Sequence, residues 1–424
     1  MNSFRYGATP EKPAVVLDLG SAYLKCGFAG ESSPRAIVPS PVRIPVHGAS
    51  PRATRYRTTQ NSHSPPRASP PQLGAHASRW RDGASQPMTR DGWLDVLSPL
   101  LQKIYFHILR TKPHERRVVV VEDFVANTLM RSTIAHVLFD LLNVPSVSFA
   151  PSPVLALSTT GAASGIVVDV GLAETRVLPI VHGAPVSRGF QTLAIGAASV
   201  RARMVTPAIS TAMAEELLAQ SARVSPTRPA TAAAAAAADG GGTSAESALE
   251  LLWELDSEER SVATCVLDAL LLCSVDARCR AAQNIVLIGG LTMVAGMDAR
   301  LHVELDALIA ERPRYAPLRA IRPRLRLFAE SELSGHGLFA ANARAWVGGS
   351  LLGKLQALSQ SPVSAISVSK KEYVVSGLPD PTSLAFGREE EEEEEEEVVV
   401  AEVEVDAKDA AAVAPAPLGD ADAE

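Results

Sequence analysis

The chain has 424 residues, more than one hydrophobic core usually serves, so two domains are expected. Its 46% hydrophobic content can build sizeable cores, and its net charge of −7 argues against a general nucleic-acid binder. The longest apolar run, Val262–Leu272, is interrupted by Thr264 and Asp268 and is too short to cross a bilayer. The opening "MNSFRYGATPEK" lacks an apolar signal core, and Cys26, Cys265, Cys273 and Cys279 form no C-x-x-C pair. A soluble intracellular protein with idle or buried thiols is the expectation.

In chain order, residues 14–17 form a short β-branched strand that ends at Asp18. Gly20 and Ser21 turn the chain, and a second strand returns over Tyr23–Phe28. Residues 41–92 are crowded with Pro, Ser and Arg, carry eight arginines against two aspartates, and read as an unstructured basic insert. Helical spacing follows over 94–109, then the strand "VVVVEDFV" and an amphipathic helix over 128–142. A low-complexity insertion with seven alanines occupies 224–242, and a helical stripe runs over 247–272. "NIVLIGGLTMVAG" is a strand entering a glycine turn, and nine consecutive glutamates open an acidic tail over 388–424. This alternation predicts an α/β architecture.

The stretch "AVVLDLGSAYLKCGF" has a counterpart in "GIVVDVGLAETRVLPI", with Asp169 and Gly171 standing where Asp18 and Gly20 stand. Two equivalent strand–Asp-x-Gly–strand hairpins imply a duplicated domain whose turns face each other across a cleft. Such turns can cradle a polyphosphate with backbone N–H groups while the two aspartates hold a hydrated divalent metal. Lys25 is placed to reach phosphate, and Gly289–Gly290 lets a flat ring such as adenine approach the backbone. The candidate nucleotide site is therefore Asp18, Gly20, Ser21, Lys25, Asp169, Gly171, Gly289 and Gly290, with Asp18 and Asp169 as metal ligands.

"LDLGSAYLKCGFAGESSPR", "GIVVDVG…VLPI", "VDAR…NIVLIGGLTM", "AWVGGSLLGKL" and "SKKEY", in this order, resemble actin and the actin-related proteins over most of 14–40 and 94–385. "RRVVVVEDFV", "VPSVSFAPSPVLAL" and "EERSVATCVLDALLLC" are most similar to the divergent branch at the pointed end of dynactin. The resemblance implies the duplicated, ribonuclease H-like actin fold, with ATP or ADP and Mg2+ in the cleft. It divides the chain into a tail (1–13), a first domain (14–164, completed by 345–387), a second domain (165–344) and the acidic tail. Carried over residue by residue, it also implies a poor ATPase. Ala22 replaces a glycine of the first loop, while Leu172 and Ala173 replace an aspartate and a glycine of the second. Ser152 stands where actin has the glutamine that positions the attacking water, and Arg176 where it has a histidine.

The insert 41–92 replaces the small subdomain that enters the next actin subunit, and a subunit with one competent face ends a head-to-tail filament. The expectation is a non-enzymatic cytoplasmic, cytoskeletal subunit that caps the pointed end of the dynactin filament. Its partners would be a filament-forming actin-related protein, other dynactin pointed-end subunits and, indirectly, dynein. The alternatives are a nuclear actin-related subunit of a chromatin-remodelling complex and an active actin-like ATPase.

Overall fold

Strand β1 (Val15–Leu19) is apolar and fully buried over its first three residues, so it needs neighbours on both edges and cover on both faces. A computed structural model of the chain supplies both; it describes residues 12–40, 89–206, 209–220, 222–227, 244–328, 339–358 and 365–379. The first lobe carries β1, β2 (Tyr23–Phe28), β3 (Ala36–Pro39), β4 (Val118–Glu122) and β5 (Ser146–Pro151). The second carries β6 (Gly165–Val170), β7 (Thr175–Val181), β8 (Ala184–Pro185), β9 (Gln191–Leu193) and β10 (Ile285–Ile288). A last strand, β11 (Ile366–Ser369), returns to the first lobe and pairs antiparallel with β5. The strand orders are β11-β5-β4-β1-β2-β3 and β10-β6-β7-β8, with β9 pairing β7.

The duplication is visible in the register. The β1–β2 hairpin places Asp18 opposite Lys25, and the β6–β7 hairpin places Asp169 opposite Arg176. Each hairpin has a parallel neighbour on its first strand, β4 beside β1 and β10 beside β6. The two aspartates thus occupy equivalent positions at equivalent strand ends.

Helices cover the sheets. The first lobe has α1 (Arg90–Lys103), α2 (Thr128–His136) and α3 (Ser152–Ser158). The second has α4 (Ala197–Met204), α5 (Thr211–Gln220), α6 (Ala245–Leu249), α7 (Val262–Leu272), α8 (Val275–Ala282) and α9 (Met297–Glu311). Two more, α10 (Arg344–Ala357) and α11 (Lys370–Ser376), follow. Among the described residues no helix is long and apolar enough to cross a membrane. One core cluster joins the lobes: Val16, Val119 and Val121 of the first sheet meet Val167, Leu178, Val286 and Ile288 of the second through α3 and α10. Trp346 of α10 is fully buried there and donates its indole N–H to Val16 O at 3.2 Å. Gly348 lets α10 touch α3, since a Cβ there would lie 2.0 Å from Leu155 O. This shared layer forms the floor beneath the cleft.

Several expectations need adjustment. The insert set at 41–92 ends earlier, because the Thr89 hydroxyl accepts from Gly92 N and starts α1 at Arg90. The remainder, 41–88, lies outside the described residues. The insertion set at 224–242 gives up its first four residues: Val224 is buried and its N–H donates to Ala295 O at 2.9 Å. Residues 228–243 lie outside the description, as do 1–11 and the acidic tail. The single stripe over 247–272 is broken. Asp256 Oδ1 accepts from Glu258 N and Arg260 N at 2.8 Å, forming a turn, and a Ser261–Thr264 capping box then starts α7. All four cysteines are free, and burial pushes the Cys26 and Cys273 thiols up to about 11 and Cys265 to about 12.

Candidate nucleotide cleft

A β-branched strand buried on both faces brings its terminal Asp to the sheet edge, where the glycine turn leaves room before the return strand. At Gly20 a Cβ would stand 2.7 Å from Tyr23 O, and at Gly171 3.0 Å from Glu174 O. Both turns are closed tightly enough to favour glycine. Both open onto one cavity of about 650 Å³ between the lobes. All eight residues picked from the sequence line it.

The first turn contributes a mostly buried ion pair, Lys25 Nζ to Asp18 Oδ2 at 2.7 Å. The second is arranged differently. Asp169 forms no hydrogen bond or ion pair among the described residues, and burial pushes its carboxyl up to about 6. Arg176 counters that rise, whereas Asp123 and Asp18 add to it. Arg176 itself reaches across the cleft: its Nη1 meets Asp123 Oδ1, on the loop after β4, at 2.7 Å, and its Nε pairs with Glu174. Burial opposes its charge, but Asp123, Asp169 and Glu174 together raise its pKa above the ordinary arginine value. Phe124, next to Asp123, packs on Phe190 of the second lobe with ring centroids 5.3 Å apart. An ion pair and an aromatic contact therefore brace the two walls side by side.

Beneath this brace, Glu122 lies 3.5 Å from the buried Arg131, and burial pushes its carboxyl up to about 7 against the pull of Arg131. At the other end, Arg201 pairs with Glu215 beside Leu218, Ala219 and Met293. Gly289 sits between the ends at φ +102°, tight against Val170 O, while a Cβ on Gly290 would meet nothing within 4 Å. Apolar walls and the Arg201–Glu215 ion pair thus lie at one end, and the turns with the mostly buried Lys25–Asp18 pair at the other.

The donor set fits a magnesium nucleotide. The amides of Ser21, Ala22, Leu172 and Ala173 donate no hydrogen bond among the described residues, which leaves N–H groups at both turns for phosphate oxygens. Among those residues no three His, Cys, Asp or Glu side chains cluster as an all-protein metal cage. One or two carboxylates suffice for Mg2+ when phosphates and waters complete its shell, and Asp18 and Asp169 both line the cavity. The hydrolytic positions fit less well. Ser152 and Leu172 line the cavity but carry no carboxylate or amide, and Arg176 is committed to Asp123 and Glu174.

Sequence reasoning missed the brace. It treated Arg176 as a replacement and not as the counterpart of Lys25, although Asp18–Lys25 and Asp169–Arg176 have the same spacing in the sequence. Asp123 carries no such signal, since only the fold brings it to Arg176.

The raised carboxyl of Asp169 gives a signed expectation. An acid whose folded pKa exceeds its unfolded value stabilises the fold below the unfolded pKa, and that stability is lost as pH rises through the folded pKa. In nucleotide-free protein, Asp169→Asn should therefore gain about 1–3 kcal/mol over the parent above pH 7 and nothing below pH 4. Thermal melts between pH 4 and 8 read this directly; a gain that is flat with pH would contradict it.

A family model described as Actin matches residues 9–227 and 241–378. The chain is 23% identical over 408 residues to Actin-related protein 10 of Dictyostelium discoideum, covering 80% of this chain and 82% of that protein. It is 24% identical over 397 residues to Centractin of Schizosaccharomyces pombe, covering 85% and 94%. A shorter match to Actin-related protein 3 of Drosophila melanogaster is 28% identical over 182 residues, covering 40% and 43%. Together with the duplicated hairpins and the cleft between two α/β lobes, the match over most of its length shows that the chain belongs to the actin family.

Proposed function

We propose that this chain is a non-enzymatic actin-related subunit of dynactin that caps the pointed end of its filament and supports dynein-driven transport. The observation that carries the reading is the chain-long similarity to both Actin-related protein 10 and Centractin. Membership of the family supplies a filament-type docking surface. The insert 41–88 falls where the first domain should present its small subdomain to the next subunit. One face docks on a filament-forming actin-related protein, and the other meets different pointed-end subunits. The setting is cytoplasmic and cytoskeletal.

The cleft holds ATP or ADP as a structural ligand. Lys25 and the turn amides bind phosphate oxygens, Asp18 and Asp169 orient the hydrated cation, and the Asp123–Arg176 brace keeps the walls in register. Bound Mg2+ would supply charge neutralisation for the phosphates. Hydrolysis also needs a group that orients a water and takes its proton. Ser152 is a weakly basic hydroxyl, Leu172 has no polar atom, and the Arg176 guanidinium stays protonated. Turnover is therefore negligible.

Two measurements on purified protein test this. Nucleotide extracted after gel filtration should be close to stoichiometric, with phosphate release far below that of assembling actin. Electron microscopy should show the protein at one end of its partner's filaments. Decoration along filament sides, self-assembly into long polymers, or actin-like turnover would each overturn the corresponding part of the reading.

A further inference from the structure

A second cavity, of about 500 Å³, lies on the first lobe away from the cleft, where β2 ends and α10 passes beneath. Its lining is cationic: Arg35, Arg110, Arg116 and Lys354 face it, and among the described residues Glu31 is the single acid there. Glu31 is already engaged, since it pairs with Arg35 at 2.6 Å and accepts from Phe28 N at 2.9 Å. Three positive charges therefore remain without a counter-charge in the cavity wall.

Two of the cations are held in place. The guanidinium carbons of Arg35 and Arg116 lie 4.4 and 4.5 Å from the centroid of the same Phe28 ring. Arg116 is fixed further by Thr111 Oγ1 at 2.6 Å and Pro13 O at 2.8 Å. The pKa of Arg116 falls below the ordinary value, through burial first and then through the nearby charge of Arg35, although Glu115 pulls the other way. Crowding two guanidinium groups on one ring is unfavourable, and a bound anion would offset it. The other two cations are uncommitted. Arg110, in the left-handed conformation at φ +49°, and Lys354 have no hydrogen-bond or ion-pair partner among the described residues.

We infer that this cavity is a docking site for a carboxylate-rich peptide segment of a partner protein. Arg110 and the remaining N–H groups of Arg116 can donate to carboxylates, and the lysine adds a point charge at the rim. The net charge of −7 argues against a nucleic-acid backbone as the occupant. The site is separate from the nucleotide cleft and does not depend on what that cleft holds.

The test uses the full chain and a fluorescein-labelled nonaglutamate peptide, read by anisotropy at low and physiological salt. The wild-type protein should bind the peptide, more weakly as salt rises. Arg110→Glu with Lys354→Glu should weaken binding at least tenfold, and Arg319→Glu on the other lobe should leave it within about twofold. Both variants should keep the parent's circular dichroism and melting point, because the replaced side chains are exposed. The proposal is overturned by absence of peptide binding to wild type, or by equal losses in the two variants. Tighter binding of a thirty-residue oligo-dT would assign the surface to nucleic acid instead. Displacement of the peptide by submillimolar pyrophosphate would assign it to phosphate, and either result rejects the peptide reading.

Discussion

Arg300→Ala should destabilise the second lobe by about 3–5 kcal/mol, the cost of removing one partner from a buried ionic cluster. Arg300 is 1% exposed on α9, yet its donors are accounted for. Nη1 and Nη2 meet the two carboxylate oxygens of Glu250 at 3.0 and 2.7 Å, and Nε donates to Glu304 at 2.9 Å. Nη1 also reaches Ser225 O at 3.2 Å and Thr227 O at 3.1 Å. The guanidinium thus ties α9 to the turn after α6 and to the segment after α5. Alanine would strip the shared cation from two carboxylates and orphan two backbone carbonyls in one step. Urea titration should show a lower midpoint, and hydrogen exchange should show the loss concentrated in 222–227 and 250–253. A double variant, Arg300→Met with Glu250→Gln, should recover part of the loss, since it removes opposite charges together. A loss below about 1 kcal/mol for Arg300→Ala would mean the cluster is solvated in solution.

Nothing in the sequence pattern pointed to Arg300, and the reason separates what was legible from what was not. The two Asp-x-Gly hairpins could be read because their signals are local: a β-branched run, an acid at its end and a glycine turn. Repetition of that local pattern then predicted the duplication and the opposed turns, while the alternation of strands and helices along the chain predicted the α/β class. The Arg300 cluster joins residues from three stretches of chain, and the Asp123–Arg176 brace crosses from one lobe to the other. Such contacts follow from tertiary placement, and no periodicity encodes them. The break between α6 and α7 is an intermediate case. The expected single stripe crosses "ELDSEERS", a stretch whose one apolar residue is Leu255. The Asp256 turn and the Ser261–Thr264 box were nevertheless present as local signals that outweigh spacing. Likewise Thr89 marks the start of α1 within a segment whose composition alone suggested no structure.

Gly289→Ala should cost both fold and site, whereas Gly290→Ala should cost only the site. Gly289 ends β10 at φ +102°, a conformation that side chains other than glycine rarely adopt. A Cβ there would lie 2.3 Å from Val170 O and 2.9 Å from Asp169 Oδ1. The obstructing atoms belong mainly to the backbone of β6, which pairs with β10 through Ile288 and Asp169, so they cannot step aside as a flexible side chain would. Backbone strain alone accounts for about 1–3 kcal/mol, and the clash adds to it by pushing β10 off β6. The same displacement moves Asp169, so nucleotide retention should fall by more than tenfold. Gly290 is the control built into the chain. Its φ is −67°, and a Cβ would meet nothing within 4 Å, so alanine should leave the melting point of nucleotide-free protein unchanged. If a flat ring lies over this glycine pair, the added methyl meets the ring and lowers nucleotide affinity without altering the fold. Titration of a fluorescent ATP analogue into both variants distinguishes the cases. Full affinity in a stable Gly290→Ala protein would place the base elsewhere in the cavity, toward the Arg201–Glu215 pair, and would remove Gly290 from the site.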